Sequence, residues 1–174
     1  MSYQVLLEAI DFAATRHRHQ RRKDTEQLPY INHPIAVARL LAGEGGVSDQ
    51  DVLVTAILHD VLEDTDTLPE EIEERFGKKV RKLVEEVTDD KNLPKQRRKQ
   101  LQIEHAASSS DQAKLVKLAD KICNIRDMSE RPPAGWDIDR RREYFDWARS
   151  VVEELSGIHP DLEQVFYEYY KKRP

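Results

Sequence analysis

Ala56-Ile57-Leu58-His59-Asp60-Val61-Leu62-Glu63-Asp64-Thr65 sets the problem that the rest of the chain must solve. Apolar residues flank an adjacent His-Asp pair, and two more carboxylates follow. On a helix, His59 and Glu63 lie one turn apart, as do Asp60 and Asp64, so the two pairs share a neighbourhood. Asp60 stands inside an apolar run, and burying a carboxylate is costly unless something positive compensates it. A divalent metal would supply that charge. A His-Asp dipeptide alone is a weak motif, because two residues meet by chance at many helix ends. The surrounding chain has to decide its meaning.

Outward from that stretch, the pattern is helical. Ser48 with Asp51 resembles a capping box that opens the helix carrying His59 and Asp60. Upstream, Val5, Leu6, Ala9, Ile10, Phe12 and Ala13 recur at helical spacing, which predicts a helix from about Tyr3 to His19. His17 and His19 are expected at its exposed end, beside Arg16, Arg18, Arg21, Arg22 and Lys23, where they complement the helix dipole. Gln20 to Asn32 reads as a loop. Pro34 suits the first turn of a helix running to about Leu41, which puts His33 at a helix entrance.

Downstream, Thr67-Leu68-Pro69-Glu70 starts a short helix that Gly77 ends, and Lys78 to Val87 follows as another. Pro94 begins a segment with Lys95, Arg97, Arg98 and Lys99 and little apolar content. The ordinary fate of such a run is a solvated face; the functional alternative is a wall that faces an anion. Ser110 can cap a helix from Asp111 to about Met128. Asp120 adjoins the apolar stripe of that helix, with Asn124 one turn on. Trp136 to Leu155 predicts a long helix whose aromatic stripe is expected in the core. His159-Pro160 opens the last helix. No segment shows sustained period-two alternation, so the fold class is all-α, a single helical domain.

The 174 residues suit one domain of ordinary size, able to bury a core without disulfide or metal staples. A hydrophobic fraction of 39% excludes a disordered chain despite 35% charged residues. Net charge −5 argues against nucleic acid as a partner, so nucleotide contacts must come from a local basic patch. The single cysteine, Cys123, excludes an internal disulfide framework and fits a reducing compartment. The N-terminal stretch lacks a basic n-region and a cleavage pattern, and no apolar run approaches transmembrane length. The expectation is a cytoplasmic protein with no membrane partner, monomeric or weakly homodimeric.

His33, His59, Asp60 and Asp120 stand out as ionisable groups in apolar settings. Two imidazoles and two carboxylates suit a mid-row divalent ion such as manganese or iron, with zinc also admissible. Spacing does not group them, since they come from three separate segments.

A resemblance supplies the grouping. His33 in Tyr30-Ile31-Asn32-His33-Pro34, then His59-Asp60, then Leu118-Ala119-Asp120-Lys121 resembles the pattern of the HD-domain metal-dependent phosphohydrolases. Arg21 to Asp24, Glu85 to Lys91, Leu115 to Asp120 and Glu143-Tyr144-Phe145 extend the likeness. It runs from about residue 6 to residue 155, and is nearest the stand-alone small alarmone hydrolases of the metazoan SpoT-homologue type. The resemblance implies one HD-domain helical bundle over residues 1–174, with no synthetase or regulatory domain. It implies that His33, His59, Asp60 and Asp120 hold a manganese, and that Glu63 and Asp64 position and deprotonate the attacking water. Arg22, Lys23 and Tyr30 would meet the nucleobase end, Asn124 the ribose, and Lys95, Arg140 and Tyr144 the phosphates. The implied reaction of the stringent response converts guanosine tetra- or pentaphosphate to GDP or GTP plus pyrophosphate. Cys123 stands where relatives often have His or Tyr, a change expected at the pocket wall.

Three rival readings remain. One is a phosphatase for another nucleotide, notably the 2′-phosphate of NADPH. Another is a non-catalytic nucleotide-binding module on the same scaffold. The third is a nucleic-acid binder acting through Lys95 to Lys99, against which the net charge weighs.

Overall fold

The structure, a computed structural model, describes residues 2–174. Among them there are nine helices and no strand beyond one isolated antiparallel bridge between Arg21 and Pro29. The helices are α1 (Tyr3–Arg16), α2 (Asn32–Ala42), α3 (Gln50–Leu58), α4 (Val61–Asp64), α5 (Pro69–Val87), α6 (Lys95–Ala106), α7 (Asp111–Glu130), α8 (Ile138–Glu154) and α9 (Pro160–Tyr170). The all-α reading therefore holds. No helix of the described residues is long and apolar enough to cross a membrane.

Two helices organise the bundle. Every residue of α3 from Val52 to Leu58 is buried. A helix apolar all round has no solvent face, so it must be surrounded, and α3 packs against α1, α2, α5 and α7. The second is α7, which buries Ala113, Val116, Leu118, Ala119, Ile122, Cys123, Ile125 and Met128. It meets α2, α3, α5, α8 and α9. The His59-Asp60 pair follows directly on α3, α7 carries Asp120, and α2 carries His33.

The local chemistry of the ends explains most boundaries. Ser110 Oγ accepts from Ala113 N–H at 3.2 Å and caps α7. His159 stands just ahead of Pro160 and caps α9 through Nδ1, which accepts from Leu162 N–H at 3.3 Å. Gly77 has φ 88° and ψ 162°, a conformation that side chains with a Cβ avoid, and it splits α5 where a break is expected.

Other boundaries move. The cap of α3 is Asp49, not Ser48: Asp49 Oδ1 accepts from Asp51 N–H at 2.9 Å. A carboxylate there satisfies the free N–H groups and also complements the dipole. The α3 helix does not carry His59 and Asp60 but ends before them, and they form the joint between α3 and α4. The first helix stops at Arg16, not His19. His17 is only 2% exposed, which corrects the expectation of a solvated terminal histidine, while His19 is exposed as expected. Trp136 precedes α8, whose cap is Asp137, with Oδ1 accepting from Arg140 N–H at 2.8 Å.

Candidate active site

His59 and Asp60 keep near-helical backbone angles (φ −57° and −97°) as α3 gives way to α4. His59 Nδ1 lies 2.8 Å from the Ala56 carbonyl. A carbonyl can only accept, so Nδ1 carries a proton and Nε2 is left facing inward. Nε2 is buried without a hydrogen-bond partner. It lies 3.0 Å from Asp60 Oδ2 and 3.8 Å from Asp120 Oδ1. His33, in the first turn of α2, brings its Nε2 to 3.0 Å from Asp120 Oδ1 and 3.9 Å from Asp60 Oδ2. The two imidazole rings are 5.3 Å apart. Three distant segments thus converge as the sequence reading expects.

These four groups fit a divalent ion. A lone pair aimed at two carboxylates is repulsive unless a positive charge stands between them, and the orphaned His59 Nε2 marks that place. Ligand atoms about 2.1 Å from one ion lie about 3 Å apart at right angles and about 4 Å apart when opposed. The four imidazole–carboxylate separations run from 3.0 to 3.9 Å, and His33, His59 and Asp60 each bring one ligand atom within 4.8 Å of the others. The site is therefore a candidate His/Asp site for a divalent metal, with nitrogen and hard oxygen donors suited to a mid-row ion.

The four groups also titrate abnormally by themselves. Burial alone would lower the His59 pKa, but the carboxylates of Asp60 and Asp120 outweigh it and raise it to about 9. Burial would raise Asp60, yet the neighbouring histidines hold it well below the usual carboxylate range. Asp120 is likewise pushed up by burial and pulled further down by Lys121 and His33. Lys121 Nζ donates to Asp120 Oδ2 at 2.8 Å and Asn124 Nδ2 donates to Oδ1 at 2.6 Å. Tyr30 Oη donates to Asp60 Oδ2 at 2.5 Å. Such outer partners fix how a carboxylate presents its lone pairs.

Glu63 and Asp64 follow on the single turn of α4. Glu63 Oε1 accepts from Arg98 at 3.1 Å, and Oε2 accepts from Asp89 N–H at 3.4 Å. Burial raises the Glu63 pKa, and the charges of Asp89, Asp60 and Asp64 add to bring it to about 7. A carboxyl poised near neutrality can both take and return a proton. Asp64 accepts from Gln20 Nε2 at 2.8 Å and from the Lys91 ammonium.

A cavity of about 260 Å³ opens beside the centre, lined by Arg22, Lys23, Tyr30, Asn124, Trp136 and Tyr144 among others. Arg22 donates to Asp127 Oδ2 at 2.7 Å, and its guanidinium lies 5.8 Å from the Tyr30 ring. The Tyr30 hydroxyl itself points toward Asp60. Farther round, Lys95 and Arg140 stand over Trp136 at 5.8 and 4.1 Å. Burial lowers the Lys95 pKa, and Arg140, Lys23 and Arg98 lower it further. A lysine whose pKa is depressed by a crowd of cations is a place an anion would relieve.

Several residues of this wall are not singled out by sequence reading. Arg98 and Lys99 belong to the basic run but turn inward instead of lying on a solvated face. Lys99 and Lys121 each stand 4.8 Å from the Trp147 ring, and Trp147 Nε1–H donates to the Lys99 carbonyl at 3.1 Å. Trp147 and Tyr144 therefore line the site, while Phe145 takes the core position expected of the aromatic stripe. A Trp one turn from Tyr144, itself already expected at the phosphates, is the signal that could have found Trp147. Cys123 does not line the pocket: it is fully buried in the core, where burial pushes its thiol up to about 12.

Comparison with known proteins gives the family. The HD domain matches residues 9–146. A protein of Homo sapiens named guanosine-3′,5′-bis(diphosphate) 3′-pyrophosphohydrolase MESH1 is 57% identical over 168 residues, 97% of this chain and 94% of that protein. An Aquifex aeolicus protein named guanosine-3′,5′-bis(diphosphate) 3′-pyrophosphohydrolase is 43% identical over 124 residues, 68% of this chain and 17% of that protein. A solved structure described as a metazoan ortholog of SpoT that hydrolyses ppGpp superposes with TM-score 0.96 at 48% identity, covering 99% of this chain and 97% of that one. Likeness at this level extends through the whole bundle, and it makes the chain a member of the HD-domain family.

Proposed function

We propose that this protein is a metal-dependent hydrolase that removes the 3′-pyrophosphate of guanosine-3′,5′-bis(diphosphate), giving GDP and pyrophosphate, and GTP from the pentaphosphate. The observation that carries the reading is the convergence of His33, His59, Asp60 and Asp120 around an unpartnered His59 Nε2, one helical turn from Glu63 and Asp64. The names of relatives alike over nearly their whole length support the choice of substrate. Residues 1–174 act in this reading as a single HD-type hydrolase domain.

His33, His59, Asp60 and Asp120 would hold the ion, with manganese preferred and iron or zinc as alternatives. When bound, the ion supplies Lewis acidity that polarises a phosphoryl oxygen and eases deprotonation of water. Asp64, held by Gln20 and Lys91, orients the attacking water, and Glu63 takes its proton. The oxygen of that water ends on the pyrophosphate, and the P–O bond to the ribose 3′-oxygen breaks. A carboxyl with a pKa of about 7 is suited to give the proton back to the departing oxygen. Such proton transfer is typically worth about 10²–10⁴-fold. Lys95, Arg140 and Tyr144 meet the phosphates, where their charge and hydroxyl offset the negative charge that repels a nucleophile. Arg22, Lys23 and Tyr30 enclose the nucleobase end, and Asn124 the ribose.

The test is manganese-dependent turnover of guanosine tetraphosphate with identification of both products. GDP and pyrophosphate are expected, and the Glu63→Ala/Asp64→Ala double variant is expected to keep its metal and lose turnover. A double variant as fast as wild type removes the catalytic assignment. A tenfold preference for the 2′-phosphate of NADPH removes the substrate assignment.

A further inference from the structure

His17 is buried, although nothing in its local sequence calls for burial. It follows the last residue of α1, and its backbone N–H closes that helix on the Ala13 carbonyl at 2.9 Å. Its ring packs 4.9 Å from the Tyr30 ring. Its Nδ1 lies 2.7 Å from Gln20 Oε1, and its Nε2 is buried with no partner. The other end of the Gln20 amide, Nε2, reaches Asp64 Oδ2 at 2.8 Å. The backbone of Gln20 is held on both sides: its N–H donates to the His17 carbonyl at 2.8 Å, and its carbonyl accepts from Tyr30 N–H at 3.2 Å.

The chemistry of each partner leaves one consistent arrangement. A carboxylate offers only lone pairs, so the NH2 end of Gln20 must face Asp64. The amide oxygen must then face His17, and it can only accept. The proton of His17 therefore sits on Nδ1. That leaves a bare lone pair at the buried Nε2. The opposite tautomer would strand a buried N–H there, and stranded donors are the rarer and costlier case. It would also set the Nδ1 lone pair against the Gln20 oxygen.

We propose that His17 and Gln20 are positioning residues for the hydrolytic reaction: His17 fixes which end of the Gln20 amide meets Asp64, and Gln20 holds Asp64 in its working orientation. The inference rests on the reading of Asp64 as a catalytic carboxylate. One loop then serves two carboxylates, since Tyr30, against which His17 packs, donates to Asp60. Lys91 is the other donor to Asp64, from the loop after α5. It fixes the position of the charge, but a flexible ammonium sets no plane. The planar amide of Gln20 does.

Two measurements test this. Long-range 1H–15N correlation of the His17 ring in wild-type protein needs neither metal nor substrate, and the proton is expected on Nδ1. A proton on Nε2 overturns the inference. In steady-state turnover of guanosine tetraphosphate with manganese, Gln20→Met and His17→Leu are each expected to lower kcat about tenfold with KM nearly unchanged, the size usual for lost outer-shell partners. His17→Asn places an amide N–H where Nδ1–H stood and is expected to recover most of that loss. Equal losses in His17→Asn and His17→Leu, or a loss confined to KM, overturn the inference. If His17→Leu does not fold, Gln20→Met carries the kinetic arm, because its half-buried side chain leaves the core intact. If wild type does not turn over this nucleotide, the proposed function fails, and the ring proton still decides whether His17 fixes the Gln20 amide.

Discussion

Arg98, from the basic helix α6, donates to Glu63 Oε1 at 3.1 Å on the turn that follows the metal pair. The contact joins a segment that looks solvated by composition to the carboxylate whose pKa stands at about 7. Removing the guanidinium leaves burial and three neighbouring carboxylates opposed by the Asp89 N–H alone. Arg98→Met should move the acid limb of the pH–rate profile upward by up to about one unit, since a cation at this range favours the ionised form. The ion pair is partly open to solvent, which limits the shift. The measurement is kcat against pH between 5 and 9, with ~0.1-unit resolution; a limb that stays in place counts against Glu63 as the titrating base.

The His59 imidazole, lowered by burial but raised more by Asp60 and Asp120, has a folded pKa of about 9 against an ordinary 6.5. A raised folded pKa means that its stabilising contribution is complete below 6.5 and is lost as pH rises through 9. A metal takes the place of that proton, so binding releases it and strengthens as pH rises. Chelator-treated protein should therefore lose Tm across this interval, and the gain in Tm on adding manganese should grow across it. A gain that is flat with pH would remove His59 from the ligand set.

Tyr30→Phe separates two roles for one side chain. The hydroxyl donates to Asp60, so its loss should weaken manganese binding by about tenfold and lower kcat at limiting metal. A change in nucleotide KM alone, with metal affinity intact, would return Tyr30 to the nucleobase role. Metal titration monitored by activity and by calorimetry distinguishes the two.

Ile57→Ala opens a cavity in a helix with no solvent face, where Ile57 is 1% exposed. The expected cost is about 2–5 kcal/mol in chemical denaturation. The variant should also need more manganese for half-maximal turnover, because Ile57 is a core residue of α3 two positions before His59. Lost stability with unchanged metal dependence would show that the joint is held from elsewhere.

Much of this fold is legible in the sequence because helix ends announce themselves chemically. Pro34, Gly77, Ser110 and the His159-Pro160 step each mark a boundary that the structure keeps within a residue or two. Periodicity reports which face of a helix is apolar, but not which helix will cover it. For that reason His17 is misplaced at the surface, and Arg98 and Lys99 are left between a solvated face and an anion-facing wall: each is covered or engaged by a segment remote in sequence. Asp60 and Asp120 are recognisable as costly carboxylates in apolar settings. Their meeting with His33 and His59 is not, because three separate segments must converge to bring it about, and only the resemblance supplies it.

The joint between α3 and α4 ties the chemistry to the most deeply enclosed part of the molecule. A site borne on a surface loop can be retuned without disturbing its scaffold. Here the two ligands at the joint continue directly from the residues whose packing keeps the chain folded. Heat inactivation and unfolding should therefore coincide, and selection for tolerance of high temperature in this protein would act on the same side chains that set its grip on the ion.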